Sequence, residues 1–408
     1  MIQKFRLRRK LKYSAAQERL SVLKRQESKL YTKNGAILIL TLWVMMIITV
    51  LAVGLAFRMR IEIRMTQIFI AKTEIVEIAK SALYRALGES INDLEPVGEE
   101  EAQGGDVFSY NLSWAVNTDL YKDIELGRGR FDIRFEYELS EDENQKEIFY
   151  GLKDEQSLIN LNFVASMKDK RKAKRIIKSI LGPDVDQDEK TLVAGAIIDW
   201  VDKSEEDGGL SEVSIGGAED SFYASLSPAY QARDGLLKTV EELKFVRGVT
   251  DEIYERLKKY VTVYGKGSTN INTAPREVLL ALGNLGESFV DAMLDWRLGE
   301  DGRMGTDDDG IFTSLQDIEV NLGYPSGSIA ALDELRQTKT VSKEAEDQGL
   351  EAAQLIGVTS DVFRVHIFAS LENSPVTKEL DVVFQRERPE PGEENSIEKY
   401  RILYWFEK

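Results

Sequence analysis

Ala36–Phe57, AILILTLWVMMIITVLAVGLAF, is a run of 22 residues with no charge and no proline. As an α-helix rising ~1.5 Å per residue it reaches ~33 Å, enough to cross a hydrocarbon layer of ~30 Å. Its upstream flank holds eleven Lys/Arg between Met1 and Asn34 against two acids, Glu18 and Glu27, a net +9 that sets this end on the cytoplasmic side. A cleaved secretory signal would carry a shorter apolar core of ~7–15 residues before a small-residue site, which Ala52–Ala56 matches poorly. The chain therefore reads as held by one membrane span.

Downstream the helical pattern continues. Ile61, Met65, Ile68, Ile75, Ile78 and Ala82 recur at multiples of three or four, with Arg60, Glu62, Arg64, Lys72 and Glu77 between them. Gly88 is the expected stop. Beyond it the period changes to two. In Arg128–Leu139, Phe131, Ile133, Phe135, Tyr137 and Leu139 alternate with charged residues, and Val362–Leu371 does the same with Phe363, Val365, Ile367, Ala369 and Leu371. Both predict half-buried antiparallel strands. Val107–Val116, Ile148–Leu152, Glu379–Gln385 and Lys399–Phe406 are weaker strand candidates. His366 falls on the polar face of its strand and reads as a solvated histidine.

Between the strand regions lies a helical block with candidate helices at Lys170–Leu181, Glu189–Val201, Val240–Phe245, Thr250–Tyr260, Pro275–Leu282 and Glu287–Trp296. Strands on both sides of such a block predict one sheet completed by two distant parts of the chain. Leu237–Val261, with a turn at Gly248, and Ile271–Arg297, with Gly283 and Gly286, read as helix–hairpin–helix units; Ile311–Leu335 is a looser third. Val341–Leu355 and Glu387–Asn395 read as surface connections. Such hairpins can cradle DNA phosphates, but the residues after Asn34 carry −26, Glu287 sits in the second turn, and packing is the preferred use of the hairpins.

The chain has no cysteine and one histidine, which excludes disulfides, thiol nucleophiles, zinc-finger arrays and multi-histidine metal centres. No catalytic pair can be assembled, so the chain does not read as an enzyme. Two acidic clusters carry a metal reading. DWVDKSEEDGG (Asp199–Gly209) with GGAEDSFY (Gly216–Tyr223) offers Asp199, Asp202, Glu219 and Asp220. GEDGRMGTDDDGIF (Gly299–Phe312) offers Asp301, Asp307 and Asp309. Calcium takes six to eight oxygens from flexible loops, which such glycine-spaced carboxylates can supply, although neither cluster has EF-hand spacing.

Taken together, the chain resembles the K-type minor pseudopilins of type II secretion. The resemblance rests on the Gly35–Ala36 junction before the apolar helix, and on DEQSLINLN (Asp154–Asn162), AIIDWVD (Ala196–Asp202), GAEDSFYASLSPAY (Gly217–Tyr230), ELKFVRGVT (Glu242–Thr250) and NINTAP (Asn270–Pro275). It implies cleavage by a prepilin peptidase after Gly35 and N-methylation of Ala36. Leu40 stands where most pilins have a glutamate, as K-type subunits show. The long leader and the GTDDDG loop depart from the pattern. The implied fold is α+β: a pilin-like long N-terminal helix packed on an antiparallel sheet, with a large all-α domain of helix–hairpin–helix or SAM-like units inserted in the sheet. The expected divisions are a leader at 1–35, a transmembrane part of the helix at 36–57 and its soluble part at 58–90. A first sheet part at 91–162, the inserted domain at 163–355 and a second sheet part at 356–408 follow. The implied function is a structural tip subunit of the periplasmic pseudopilus, in the inner membrane with its C-terminal part in the periplasm. Its partners would be the I- and J-type subunits and the major pseudopilin, its cofactor calcium, with no nucleic acid. The competing reading is a membrane-anchored DNA-binding protein.

Overall fold

The computed structural model describes residues 2–92, 107–138, 146–201, 220–283, 285–306, 308–372, 374–387 and 400–408. The chain divides into two compact units, Met1–Lys72 and Thr73–Lys408. The first is helical from Ile2, as part of one helix that ends at Asn92. Within it the apolar stretch starting at Ala36 is long and apolar enough to cross a membrane, and none of it is covered by protein. Ile61, Met65 and Ile68 are exposed as well.

In the second unit the same helix has a covered face. Ile75, Ile78, Ala79, Ala82, Leu83, Ala86 and Leu87 recur at intervals of three and one, and all are buried. Each large member removed from water contributes roughly 1.5–3 kcal/mol. Gly88 does not stop the helix, which continues to Asn92. A mid-helix glycine costs ~1 kcal/mol, and burial of Leu87 beside it offsets that cost. The Arg386 guanidinium also donates to the Ser90 carbonyl at 3.1 Å.

The strands, in chain order, are β1 (Ile124–Leu126), β2 (Gly129–Glu138), β3 (Lys146–Tyr150), β4 (Lys153–Asp154), β5 (Ile159–Asn160), β6 (Val261–Thr262), β7 (Thr269–Asn270), β8 (Ile356–Gly357), β9 (Val362–Leu371), β10 (Thr377–Arg386) and β11 (Tyr400–Glu407). Among the described residues the main sheet is antiparallel in the order β1-β2-β9-β10-β11, with β3 on β2 and β4 on β9. Strands from before and after the helical segment thus meet in one sheet. β2 pairs with β9 as far as Ile133, then passes to β3 from Arg134. At the crossover sits Gly151, where a Cβ would fall 2.0 Å from the Ala115 carbonyl oxygen. Phe131, Ile133, Phe135 and Tyr137 are buried as the alternation predicts, and so are Phe363, Val365, Ile367, Ala369 and Leu371. Gly129 lets the helix approach: a Cβ there would lie 2.6 Å from Ile78 Cδ1.

Several expectations are corrected. Val107–Val116 is not a strand; it forms turns with single bridges at Val107 and Val116, while Phe108, Tyr110 and Trp114 fill the core under the sheet. Val240–Phe245 is a 3₁₀ segment. The third hairpin is reduced to Ile318–Asn321 and Ala330–Arg336. Val341–Leu355 is no surface connection, because Val341, Leu350 and Leu355 are buried around a short helix, Lys343–Asp347. Most of Glu387–Asn395 lies outside the described residues. Two parallel two-residue pairs, β5 with β6 and β7 with β8, were not anticipated.

Candidate functional site

Asp154 ends β4 and Glu155 opens the 3₁₀ turn Glu155–Ser157, so two adjacent carboxylates leave water together, at 0% and 1% exposure. A buried carboxylate is tolerated only when donors surround it. Asp154 Oδ1 accepts the Gln156 amide at 2.8 Å. Its Oδ2 accepts Ser360 Oγ at 2.7 Å, Asn270 Nδ2 at 3.2 Å and the Thr273 hydroxyl. Burial pushes its pKa up to about 6, with these four donors pulling the other way.

Glu155 is held differently. Arg364 grips it with two parallel bonds, Nε to Oε2 at 2.9 Å and Nη2 to Oε1 at 3.0 Å, and Thr262 Oγ1 donates to Oε1 at 2.8 Å. Burial is the largest influence and raises its pKa, but the charge and hydrogen bonds of Arg364, with help from Lys153 and Thr262, bring it below the usual carboxylate range. Arg364 also reaches Asp381 at 2.8 Å.

The asparagines of the same stretch fasten backbone. Asn160 Nδ2 donates to the Tyr264 and Gly265 carbonyls, each at 2.9 Å. Asn162 donates to the Leu237 and Val263 carbonyls and accepts the Leu237 amide at 2.7 Å. Asn272 and Phe312 exchange a reciprocal pair at 3.0 and 2.9 Å. Arg297 donates to the Ala274 carbonyl at 2.6 Å and to the Tyr137 hydroxyl at 3.1 Å. The result is a polar joint tying the sheet to Asn270–Ala274 in the helical segment. Most of its donors and acceptors are turned onto one another, with Arg297 Nε buried and without a hydrogen bond among the described residues, which is the chemistry of a joint.

On the polar face of the sheet a cleft of about 580 Å³ is bounded by Arg134, Arg364, His366, Phe368 and Tyr404, with Lys258 and Lys259 opposite. His366 is on the polar face as expected and half-buried at this cleft: its ring stacks on Phe368 at 4.6 Å, and burial lowers its pKa. Gly248 (φ +82°) turns the first hairpin inward, since a Cβ there would lie 2.3 Å from Leu192 Cδ2. That turn packs against the helix Gln187–Val201.

Gly35 and Ala36 lie within the long helix, and Ala36 is exposed. Of the first acidic cluster, Asp199 is half-buried near the end of its helix and Asp220 begins the helix Asp220–Ala224, whereas Asp202 and Glu219 lie outside the described residues. Of the second, Asp307 lies outside them as well. Asp301 Oδ1 accepts the Arg303 amide at 2.8 Å, and Asp309 Oδ2 accepts the Gly305 amide at 2.7 Å. Asp308, absent from the expected ligand set, organises the loop: its Oδ2 accepts the Glu300 and Asp301 amides at 2.7 and 3.0 Å, and its Oδ1 the Thr306 hydroxyl at 2.8 Å. Among the described residues no three acidic side chains converge as a metal set. The carboxylates of this loop face their own amides.

Residues 157–266 match the family model "Type II secretion system (T2SS), protein K". The type II secretion system protein K of Aeromonas hydrophila is 36% identical over 96 residues, 23% of this chain and 28% of that protein. A putative protein K of Escherichia coli K12 is 28% identical over 136 residues, 32% of this chain and 40% of that protein. The matched part thus spans less than two thirds of either relative. Protein K of Pseudomonas aeruginosa is 25% identical over 290 residues, covering 68% of this chain and 75% of that protein. A chain in the crystal structure of the GspK-GspI-GspJ complex from enterotoxigenic Escherichia coli superposes with a TM-score of 0.51 at 16% identity, covering 83% of this chain and 99% of that one. At that identity the likeness establishes the fold, a mixture of helices and antiparallel sheet. The resemblance to type II secretion protein K is borne out.

Proposed function

We propose that this chain, with its protein K kinship, is a minor pseudopilin: a structural tip subunit of a periplasmic pseudopilus that helps initiate assembly and export of folded proteins across the outer membrane. The observation that carries this reading is the stretch beginning at Ala36, apolar, helical and wholly uncovered, in the same chain as a body that matches protein K. Such a surface is stable in lipid or against sister helices, and a filament offers the second once the first is left.

In this reading a prepilin peptidase cuts after Gly35, Ala36 is methylated, and the acidic body lies in the periplasm. Leu40 brings no carboxylate to pair with a neighbour's N-terminal amine, which suits a subunit with nothing stacked beyond it. Residues 163–355 act as a domain inserted in the pilin-like sheet, and I- and J-type subunits and the major pseudopilin are the partners. Calcium belongs to the same proposal, at the loop from Asp301 to Asp309. This reading rests on the carboxylates of Asp301, Asp307 and Asp309 in that loop, of which Asp301 and Asp309 accept loop amides in the structure. The thermal midpoint should then rise in calcium chloride and not in magnesium chloride, and Asp301→Asn with Asp309→Asn should remove the rise.

N-terminal sequencing of the protein from cells with an active prepilin peptidase tests the central claim. A start at Ala36 is expected, and Gly35→Val should leave the chain unprocessed. An intact Met1 in the wild-type protein would overturn the assignment.

A further inference from the structure

Residues 10–27 stand apart from the rest of this acidic chain. They belong to the helix Ile2–Asn92, within the unit that ends at Lys72. Tyr13, Ala16, Leu20 and Leu23 recur at intervals of three and four, so they share one face. Tyr13 is 76% exposed, Leu20 56% and Leu23 58%, so nothing among the described residues covers this stripe.

Basic residues border the stripe on both sides. Lys12 and Arg19, seven apart, follow one edge; Lys10 and Lys24, fourteen apart, follow the other. All four are exposed. Glu18 falls on the opposite face with Ser14, Ser21 and Arg25, and Glu27 closes the stripe at its C-terminal end. The segment up to Asn34 carries a net +9, against −26 for everything after it. A second copy of this helix is a poor cover for the stripe, because parallel pairing would set Arg19 of one chain toward Lys24 of the other. What fits is an apolar layer ~5–10 Å deep beneath fixed negative charge, with the long basic side chains reaching up from the apolar boundary to the charged groups. Anionic phospholipids supply both parts. Such a surface is at hand, since Leu20 precedes the first residue of the apolar span, Ala36, by sixteen residues.

We propose that residues 10–27 form an interfacial helix that docks on anionic phospholipid of the leaflet through which the chain enters the membrane. Tyr13, Ala16, Leu20 and Leu23 face the acyl boundary, and Lys10, Lys12, Arg19 and Lys24 meet the headgroups. While the helix runs continuously through Gly35, Leu20 stands ~24 Å from Ala36 along its axis. Docking therefore bends the helix at Asn34–Gly35, two poor helix formers in succession. The inference rests on the membrane-span reading of Ala36–Phe57 and not on the secretion role.

The test uses the uncleaved full chain in lipid nanodiscs. The chain has no cysteine, so a nitroxide on one introduced cysteine reports a single position. Labels are placed by Leu20→Cys and Leu23→Cys on the stripe, Ser21→Cys on the opposite face and Ile47→Cys in the span. Each is read in phosphatidylcholine alone and in phosphatidylcholine with phosphatidylglycerol. With phosphatidylglycerol, the labels at 20 and 23 should lose access to a water-soluble nickel chelate several-fold and gain access to oxygen, while the label at 21 stays aqueous. In phosphatidylcholine alone all three should stay aqueous. Lys12→Gln/Arg19→Gln/Lys24→Gln should return the label at 20 to water in the mixed lipid, and so should high salt. A label at 47 outside the hydrocarbon would bring down the span reading and the proposal together. With that label in hydrocarbon, the proposal alone is overturned by aqueous labels at 20 and 23 in both lipids, by equal burial in both, or by spin–spin broadening from a second copy in place of burial in lipid.

Discussion

Two groups of carboxylates in this chain do opposite work. Asp154 and Glu155 are buried and face partners more than a hundred residues away, Asn270, Thr273, Ser360 and Arg364. Asp301, Asp308 and Asp309 face amides within eight residues of themselves. The first group closes long loops and holds the sheet to the helical segment. The second shapes one turn, where Gly299 (φ +61°) is obligatory because a Cβ would meet Asp308 Oδ2 at 2.5 Å. Density of acid in the sequence therefore misleads: the pair that matters to the whole fold is the shorter run.

The strongest attack on this contrast is Arg364→Ala. It leaves Glu155 buried without its bidentate partner, and loss of one member of a buried pair costs ~3–5 kcal/mol. Urea denaturation of the full chain in detergent, followed by tryptophan fluorescence, should show a midpoint far below wild type. A loss under ~1 kcal/mol, the size of an exposed pair, would mean that the joint is ornamental.

What the sequence disclosed follows the same division. The alternation of Gly129–Glu138 and Val362–Leu371 announced itself because every second residue faces the core, and the helices Lys170–Ile180 and Asp251–Tyr260 because their apolar residues keep a helical period. DEQSLINLN and NINTAP were legible as motifs but not as two halves of one joint. A residue type declares that it needs a partner and does not say which partner, and here the answers lie across gaps such as Asp154 to Ser360. Val107–Val116 looked like a strand because Phe108, Tyr110 and Trp114 are core residues, although they reach the core from turns. Asp308 was passed over since nothing in GTDDDG distinguishes the acid that binds amides from its neighbours.

A second experiment separates the two buried acids from each other. Asp154 has its pKa raised to about 6, so the folded chain holds this proton more tightly than the unfolded chain does. Its contribution to stability is present below about pH 4 and lost as pH rises through about 6, a change of roughly 3 kcal/mol for about two units. Glu155, lowered by Arg364, acts in the reverse sense: its contribution is present above the usual carboxylate range and lost as pH falls below it. Asp154→Asn should remove the decline between about pH 4 and 6 and leave the acid-side loss. Parallel stability profiles for variant and wild type would show that Asp154 does not titrate in this window.

The smallest effect is expected at Asp308, and it sharpens the contrast best. Its carboxyl is held below the usual range by the Asp301 amide first, then by Thr306, so its contribution should be present at neutral pH and lost as pH falls through that lowered value. All of its partners lie in the loop, so Asp308→Asn should hardly move the urea midpoint. Asparagine keeps one acceptor oxygen for the Glu300 and Asp301 amides, while the Thr306 hydroxyl can turn to Asp309 Oδ1 at 3.1 Å, so what the loop loses is the charge that strengthens these bonds. The consequence should be local opening, read as faster tryptic cleavage at the exposed Arg303 with the rest of the digest unchanged. A variant whose whole digest accelerates would place Asp308 among the residues that hold the fold together, and the division between the two groups of acids would fail.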